Sequence, residues 1–174
     1  MFAGALISVA EATFADPSGG TFERDVVHHP GAVSVVPIAD DGAVIMVRQY
    51  RAAIDRELLE IPAGKRDVEG EDIEALARRE LEEEIGMRAG ELVKLAEFYN
   101  SPGFCDEHSF VFMARNLTVT APAAQGIEEQ HMTIERIALA DVPRLVATGE
   151  LVDAKSIIGL CLAREALAGR PLSS

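Results

Sequence analysis

The alternation of apolar and polar residues at the start of the chain predicts two strands. They span 5–15 and 20–29 and flank a turn at 16–20 that contains Pro and Gly. Two strands alone are marginally stable in water, so this hairpin is expected to pack on the main domain or on a second subunit. His28 and His29 are adjacent on the second strand and therefore face opposite ways, which favours hydrogen bonding over metal binding.

Further runs rich in Val, Ile and aromatic residues predict five more strands. The first two flank Asp40-Asp41-Gly42, a sequence typical of a hairpin turn, and are expected to pair with each other. The predicted strands are 32–39, 43–51, 92–99, 109–114 and 131–138.

Apolar residues at helical spacing between Ile73 and Ile85 predict a helix, with Asp72 as its N-cap and Gly86 at its end. Asp141 and Asp153 are predicted to cap two later helices, a short one that stops at Gly149 and a longer one over 154–168. Six residues of the longer helix are expected in the core: Ile157, Ile158, Leu160, Cys161, Leu162 and Leu167.

This order of elements predicts an α/β fold, with a mixed β-sheet sandwiched between helices and an N-terminal β-hairpin arm. The length of 174 residues fits one domain with a sizeable core. No repeat or linker divides the sequence. We therefore predict a single domain over 1–174, with the arm at 1–30 and a catalytic core at 31–174.

Composition excludes several classes of protein. A net charge of −13 argues against a nucleic-acid partner, because such binders present basic surface. The chain contains no apolar run of transmembrane length and no basic segment typical of a signal peptide, so we expect no membrane partner and a cytoplasmic location. Cys105 and Cys161 are too few for a disulfide framework, which favours a reducing compartment.

Acidic residues are concentrated in one segment, 60–87, which holds ten acidic and four basic residues. Like charges one helical turn apart destabilise a helix by roughly 0.2–0.5 kcal/mol per pair. Glu80 and Glu84 are one turn apart beside the apolar face of the predicted helix, and two partly shielded carboxylates suit a hard divalent cation. The alternative is a solvated acidic face.

The segment GKRDVEGEDIEALARRELEEEIGM, residues 64–87, resembles the Nudix box, the sequence motif of the Nudix hydrolase family; we refer to it as the box segment. Six residues separate its first glycine from its first matching glutamate, where the family motif has five, and the remainder stays in register. The matching residues are Gly64, Glu71, Arg79, Glu80, Leu81, Glu83, Glu84, Gly86 and Met87.

The resemblance implies a metal-dependent hydrolase that cleaves a diphosphate. Mg²⁺ or Mn²⁺ is then expected on Glu80, Glu84 and the backbone carbonyl of Ala63, with Glu83 assisting catalysis. Such a reaction requires neutralisation of the phosphate oxygens and an activated water.

Segments outside the box resemble the ADP-ribose pyrophosphatase branch of the family. Pro102 is sixteen residues past Gly86, an offset that sets this branch apart. The resemblance implies that the loop with Pro102, Gly103 and Phe104 binds substrate, as does Arg51 at the end of the QYR motif, whose planar side chain suits phosphate oxygens. Phe104 alone is equally consistent with a residue that only holds the loop in place.

The catalytic base is expected outside the box, because carboxylates that bind metal have a lowered pKa and accept protons poorly. Glu128 and Glu129 lie in a Gly-containing loop at the position where ADP-ribose pyrophosphatases keep this residue. Of the two, we favour Glu128. Two solvated loop acids are the alternative interpretation.

The expected reaction is therefore hydrolysis of ADP-ribose, or a related nucleoside-diphosphate sugar, to AMP and ribose 5-phosphate. One alternative is a nucleotide-sugar hydrolase of the GDP-mannose type, and another is a catalytically silent Nudix module that senses ADP-ribose. A plain Ca²⁺-binding protein is disfavoured because too few oxygen ligands lie in one loop. The family resemblance and the N-terminal hairpin together predict a homodimer.

Overall fold

The computed structural model describes residues 1–68, 70–120 and 132–170, and within them the chain forms ten strands and three α-helices. No helix in these ranges has the length and apolar character needed to cross a bilayer. The strands are β1 (Phe2–Ala3), β2 (Ser8–Ala15), β3 (Thr21–His28), β4 (Ala32–Pro37), β5 (Ala43–Arg51), β6 (Arg56–Glu60), β7 (Ala63–Lys65), β8 (Met87–Tyr99), β9 (His108–Val119) and β10 (Thr133–Ala138). The helices are α1 (Ile73–Ile85), α2 (Val142–Ala147) and α3 (Ala154–Leu167), and short 3₁₀ turns span Ala52–Ile54 and Leu139–Asp141.

The strands form three sheets. The N-terminal sheet has the order β1-β2-β3, a second sheet has the order β10-β5-β6, and a four-stranded sheet has the order β7-β4-β9-β8. The four-stranded sheet is mixed, because β4 and β9 are parallel while its other pairs are antiparallel. The mixed sheet and the helices confirm the α/β class predicted from the sequence, and the strands of the core divide into two sheets.

The core lies on both faces of the central strands β4 and β5. Val36 and Met46 pack into a cluster with Leu160 of α3, whereas Val35 and Ile45, their neighbours in sequence, pack into a second cluster with residues of α1. Successive side chains of a strand point to opposite faces, so central strands that are apolar at every position require a layer on each side. The predicted sandwich between helices is confirmed.

Local signals explain the ends of α1. The side chain of Asp72 accepts hydrogen bonds from the N–H groups of Glu74 and Ala75 at 2.9 and 3.1 Å, which satisfies two donors of the first turn. Gly86 ends the helix with a φ of 62°, and its N–H donates to Glu82 O at 3.2 Å. Both predicted ends of this helix are confirmed.

The longer C-terminal helix, α3, has the predicted N-cap, but its buried face differs from the prediction. Asp153 accepts from Ser156 N at 3.0 Å. A Cβ atom on Gly159 would lie 2.9 Å from side-chain atoms of Val36 and Val111, so this glycine permits close packing on the sheet. The buried face therefore consists mostly of small residues, and the prediction that Cys161 and Leu167 are core residues is wrong, since both are exposed.

Two other local predictions are only partly met. The turn predicted at Asp40-Asp41-Gly42 is present, with Ala39 N donating to Ala43 O at 2.9 Å and a bridge between Ile38 and Val44, but β4 itself pairs with β7 and β9 and not with β5. Asp141 precedes α2 without a side-chain hydrogen bond to the helix. In both cases tertiary contacts override a local sequence signal.

The N-terminal sheet is tied to the core through one loop. In its β2–β3 hairpin, Val27 N donates to Phe104 O at 2.7 Å and Asp106 N donates to Val27 O at 3.1 Å. His28 Nδ1 lies 2.7 Å from Asp106 Oδ2, in agreement with the predicted hydrogen-bonding role of the two histidines. The position of the hairpin thus depends on the loop between β8 and β9.

Candidate active site

Arg79, in the middle of α1, pairs with three acidic residues of the box segment. Its Nε and Nη2 atoms donate to the two carboxylate oxygens of Glu71, each at 3.1 Å. Its Nη1 atom lies 3.1 Å from Glu83 Oε2 and 3.1 Å from Glu80 Oε1. The hydrogen bonds with Glu71 outweigh burial and, together with the three negative charges, raise the pKa of Arg79. The additional residue between Gly64 and Glu71 therefore does not prevent Glu71 from reaching Arg79.

Glu80 is buried against the backbone at Gly64. A Cβ atom at position 64 would lie 2.0 Å from the carboxylate carbon of Glu80, which is much shorter than any real contact. A larger residue at this position would displace the Glu80 carboxylate, which occupies the space of a side chain. Strand β7, which contains Gly64, pairs with β4 and is thereby held against α1.

Glu84 lies one turn after Glu80 and accepts a hydrogen bond from Ala63 N at 3.1 Å. Burial raises the pKa of Glu84 to about 8, and repulsion by Glu80 adds to the rise. The Ala63 N–H and the positive charges of Lys155 and Arg51 act in the opposite direction. The structure thus brings Ala63, Glu80 and Glu84 together, as the sequence predicted, in an environment where a further positive charge would favour the ionised carboxylates.

The available ligands suit a small, hard cation that also binds water and substrate, rather than an ion coordinated by protein groups alone. In the described part of the chain no three side chains from His, Cys, Asp and Glu cluster as metal ligands. The Glu80 carboxylate contacts the backbone at Gly64 and Glu84 bonds Ala63 N, so both carboxylates lie beside the strand segment that contains the Ala63 carbonyl. Mg²⁺ is usually bound by one or two carboxylates and completes its coordination with water and substrate phosphates. The residues present therefore fit such an ion.

A second cluster of charges surrounds Glu60, a residue that sequence analysis missed. Arg51 Nε and Nη2 donate to the two oxygens of Glu60 at 2.7 and 2.6 Å, and Lys155 Nζ also contacts this carboxylate. Burial favours a higher pKa for Glu60, but the bonds from Arg51 and Lys155 outweigh it and lower the pKa. The one sequence signal for this cluster is a glutamate within the apolar run Leu58-Leu-Glu-Ile-Pro62.

The loop predicted to bind substrate borders an apolar pocket of about 460 Å³. Pro102, Gly103 and Phe104 form one wall, and residues of the N-terminal hairpin, Phe14 and Phe22 among them, form another. The two phenylalanine rings are stacked with centroids 5.6 Å apart, and the Phe104 side chain is exposed. Arg51, Glu80 and Glu84 do not line this pocket.

The residues predicted as the catalytic base, Glu128 and Glu129, lie outside the described residues.

Comparisons with known proteins agree with the box resemblance. Residues 28–158 match the family model described as the NUDIX domain. The ADP-ribose pyrophosphatase of Bacillus subtilis is 40% identical over 156 residues, which span 90% of this chain and 84% of that protein. The methanol dehydrogenase activator of Bacillus methanolicus is 33% identical, spanning 92% and 86%. The ADP-ribose pyrophosphatase of Mycobacterium tuberculosis is 36% identical, spanning 98% and 84%.

A solved structure described as an ADP compounds hydrolase superposes with a TM-score of 0.84. The alignment covers 97% of this chain and 90% of that chain at 25% sequence identity.

Replacement of Glu84 tests its role as a metal ligand. Glu84→Gln is expected to lower hydrolytic activity at least ~10²-fold, because a bound metal supplies several kcal/mol to such reactions. In chelator, the variant is expected to be at least as stable as wild type. The pKa of Glu84 in the folded protein, about 8, is above the ordinary value of 4.5 for a glutamate. The wild type therefore loses stability relative to the variant as the pH rises through this range.

Thermal melts in chelator and in Mg²⁺ or Mn²⁺ check this prediction. The metal should raise the melting temperature of wild type more than that of Glu84→Gln. Glu82→Gln is the matched control on the same helix, since Glu82 bonds Arg88 at the surface; it should behave as wild type. An equal rise in wild type and Glu84→Gln would show that Glu84 is not a ligand.

Proposed function

The chain belongs to the Nudix family, and from this premise we propose that it hydrolyses the diphosphate of ADP-ribose, or of a close nucleoside-diphosphate sugar, to give AMP and ribose 5-phosphate. The observation that carries the proposal is the cluster in which Arg79 holds Glu71, Glu80 and Glu83 while Glu84 bonds Ala63. This arrangement favours an active enzyme over a catalytically silent sensing module, because the acids of the box keep the arrangement that a metal site needs. Similarity to two ADP-ribose pyrophosphatases over at least nine-tenths of the chain supports the substrate class.

The proposed cofactor is Mg²⁺ or Mn²⁺, held by Glu80, Glu84 and the Ala63 carbonyl. When bound, the ion supplies positive charge to the diphosphate oxygens and makes a nearby water more acidic. The chain itself contributes the rigid geometry of these ligands. Arg79 holds Glu80 on α1, and the pairing of β7 with β4 holds Ala63. Ligands that are held in place in advance need no rearrangement during the reaction.

Arg51 and the apolar pocket are the proposed substrate-binding groups. The guanidinium of Arg51 matches the geometry of phosphate oxygens. The pocket offers Phe104 for stacking against a nucleobase, while Pro102 and Gly103 shape the loop that presents it. The mostly apolar lining suits the nucleoside end of the substrate rather than its charged diphosphate.

We propose Glu128, or its neighbour Glu129, as the catalytic base. Glu83 is the alternative within the box, but its carboxylate already accepts a hydrogen bond from Arg79 Nη1 at 3.1 Å. Glu83 then assists by holding Arg79, and through it Glu80, in position.

The remaining parts of the proposal concern the whole chain. We propose that 1–174 is one Nudix domain, with 1–30 as an arm, and that the protein is a homodimer. Exposed Phe2, Leu6, Phe14 and Phe22 on the N-terminal sheet support a partner surface there. The two unpaired cysteines, Cys105 and Cys161, are consistent with the cytoplasmic location that we propose.

A panel of nucleotide sugars in Mg²⁺ tests the reaction and the substrate together. We expect ADP-ribose to have the highest kcat/KM, with AMP as the nucleotide product. The panel includes GDP-mannose because hydrolysis of that sugar is the rival assignment. Turnover of GDP-mannose ten times better than ADP-ribose would overturn the substrate and retain the reaction class.

Glutamine replacements test the base. Glu128→Gln should lower kcat by roughly 10²–10⁴-fold, the usual contribution of a positioned acid or base. KM and metal affinity should change little, because the carboxylate is needed mainly in the transition state. Glu129→Gln is the matched control and should have a smaller effect. Near wild-type kcat in both single variants and in the double variant would place the base elsewhere.

Removal of residues 1–22 tests the arm. Full-length protein is expected to be a dimer by light scattering, and the truncated protein a monomer or an aggregate. Substrate binding should also weaken, since Phe14 and Phe22 line the apolar pocket. A monomeric full-length protein would refute the proposed dimer.

A further inference from the structure

Glu60 is a buried carboxylate with two cationic partners, Arg51 on the adjacent strand and Lys155 from a distant part of the chain. Its side chain is 1% exposed, and its oxygens accept from both Nε and Nη2 of Arg51. Lys155, on the first turn of α3, contacts the same carboxylate and lies 3.0 Å from Asp153 Oδ2. Arg51, Glu60, Lys155 and Asp153 thus form a continuous chain of ion pairs, which we call the Glu60 cluster.

The Glu60 cluster is fixed at its helical end by ordinary secondary-structure contacts. Asp153 is the N-cap of α3, and Ser156 Oγ accepts from Ile61 N at 2.9 Å. Ser156 is fully buried, and Gly159, one turn later, lets the helix pack closely on the sheet. The ammonium group of Lys155 therefore has a rigid support, and it contacts the same Glu60 oxygen, Oε2, as Arg51 Nη2 does.

The same strand end connects the Glu60 cluster to the metal-binding groups. Glu60 is the last residue of β6, and the chain continues through Ile61 and Pro62 to Ala63, whose N–H bonds Glu84. About a third of the Arg51 side chain is accessible, whereas Glu60 has almost no exposure. The two parallel bonds from Nε and Nη2 fix the plane of the guanidinium as well as its position.

We propose that Glu60 is a positioning residue for hydrolysis, which holds the guanidinium of Arg51 in the orientation that binds the substrate's diphosphate and is itself held in place by Lys155. This inference rests on the proposed function, because it assigns Arg51 to the diphosphate. A purely structural ion pair is the competing explanation, since removal of one partner from a buried pair usually destabilises a protein. The two explanations differ in whether the effect of Glu60 on catalysis requires Arg51.

A double-mutant cycle distinguishes them. Glu60→Gln keeps the size of the side chain and removes its charge, and we expect kcat/KM for ADP-ribose to fall about 10²-fold, with a rise in KM, because the diphosphate-binding group is misplaced. Arg51→Ala should cause a loss at least as large. The double variant should be no worse than Arg51→Ala within about threefold, because Glu60 acts through Arg51. Fully additive losses would overturn the proposal.

Glu135→Gln is the matched control. Glu135 bonds Arg48 through Nε and Nη2 at 2.5 and 3.4 Å, on the same strand β5 as Arg51. This variant also removes the charge of an arginine's carboxylate partner, but it should leave kcat/KM and KM within about twofold of wild type. Melting temperature and Mn²⁺ affinity are measured for every variant. The proposal would also be overturned if Glu60→Gln lost activity only in proportion to its lower melting temperature, with KM unchanged.

Lys155 provides a second test that does not require Glu60→Gln to fold. Lys155→Met removes the ammonium group and should lower kcat/KM about tenfold, whereas Lys155→Arg keeps the charge and should restore most of it. In the Arg51→Ala background neither change should matter. The proposed role would be contradicted if Lys155→Met and Lys155→Arg lowered kcat/KM equally. It would also be contradicted if Lys155→Met lowered kcat/KM as much in the Arg51→Ala background as in wild type.

Failure of this inference can be separated from failure of the proposed function. The cycle is run with whichever diphosphate substrate the wild type hydrolyses best. Another preferred sugar would correct the substrate but leave the coupling between Glu60 and Arg51 intact. Additive effects on the preferred substrate would refute the positioning role alone. If no sugar is hydrolysed, the same cycle is read from ADP-ribose affinity by calorimetry.

Discussion

The shared ion pairing of Arg79 is the interaction on which the candidate site depends. Three carboxylates of the box segment lie within 3.1 Å of its guanidinium, and their mutual repulsion would otherwise oppose a helix in this position. Arg79 pairs with Glu71, Glu80 and Glu83, whereas Glu84, one turn after Glu80, bonds the backbone of Ala63. The same guanidinium therefore offsets the repulsion within the acidic helix and holds Glu80, a proposed metal ligand, in place.

The close approach of strand β7 to helix α1 completes the site. Gly64 leaves room for the Glu80 carboxylate, and the neighbouring N–H of Ala63 bonds Glu84. These contacts are possible because β7 is held in a sheet by β4. The Glu60 cluster continues from the same strand segment and connects it to α3. The groups proposed to bind the metal and the diphosphate thus lie on one connected strand segment.

Features governed by neighbouring residues were predicted correctly from the sequence. The helix between Asp72 and Gly86, the turn at 16–20 and the N-cap Asp153 each depend on residues a few positions apart. At Asp40-Asp41-Gly42 the local turn forms, but the pairing does not continue along β4 and β5, since β4 lies between β7 and β9. Cys161 is exposed because small residues on another face let α3 approach the sheet.

The sequence by itself determined the acidic helix, its ends and the position of Glu80 and Glu84 one turn apart, because helical spacing depends only on neighbouring residues; the resemblance to the box then proposes these two carboxylates as metal ligands. Only the tertiary structure decided what surrounds them. Glu60 and Lys155 are 95 residues apart, and β4 lies parallel to β9 from a distant part of the chain. No local pattern encodes such contacts, since they form only when burial of both sheet faces brings separate segments together.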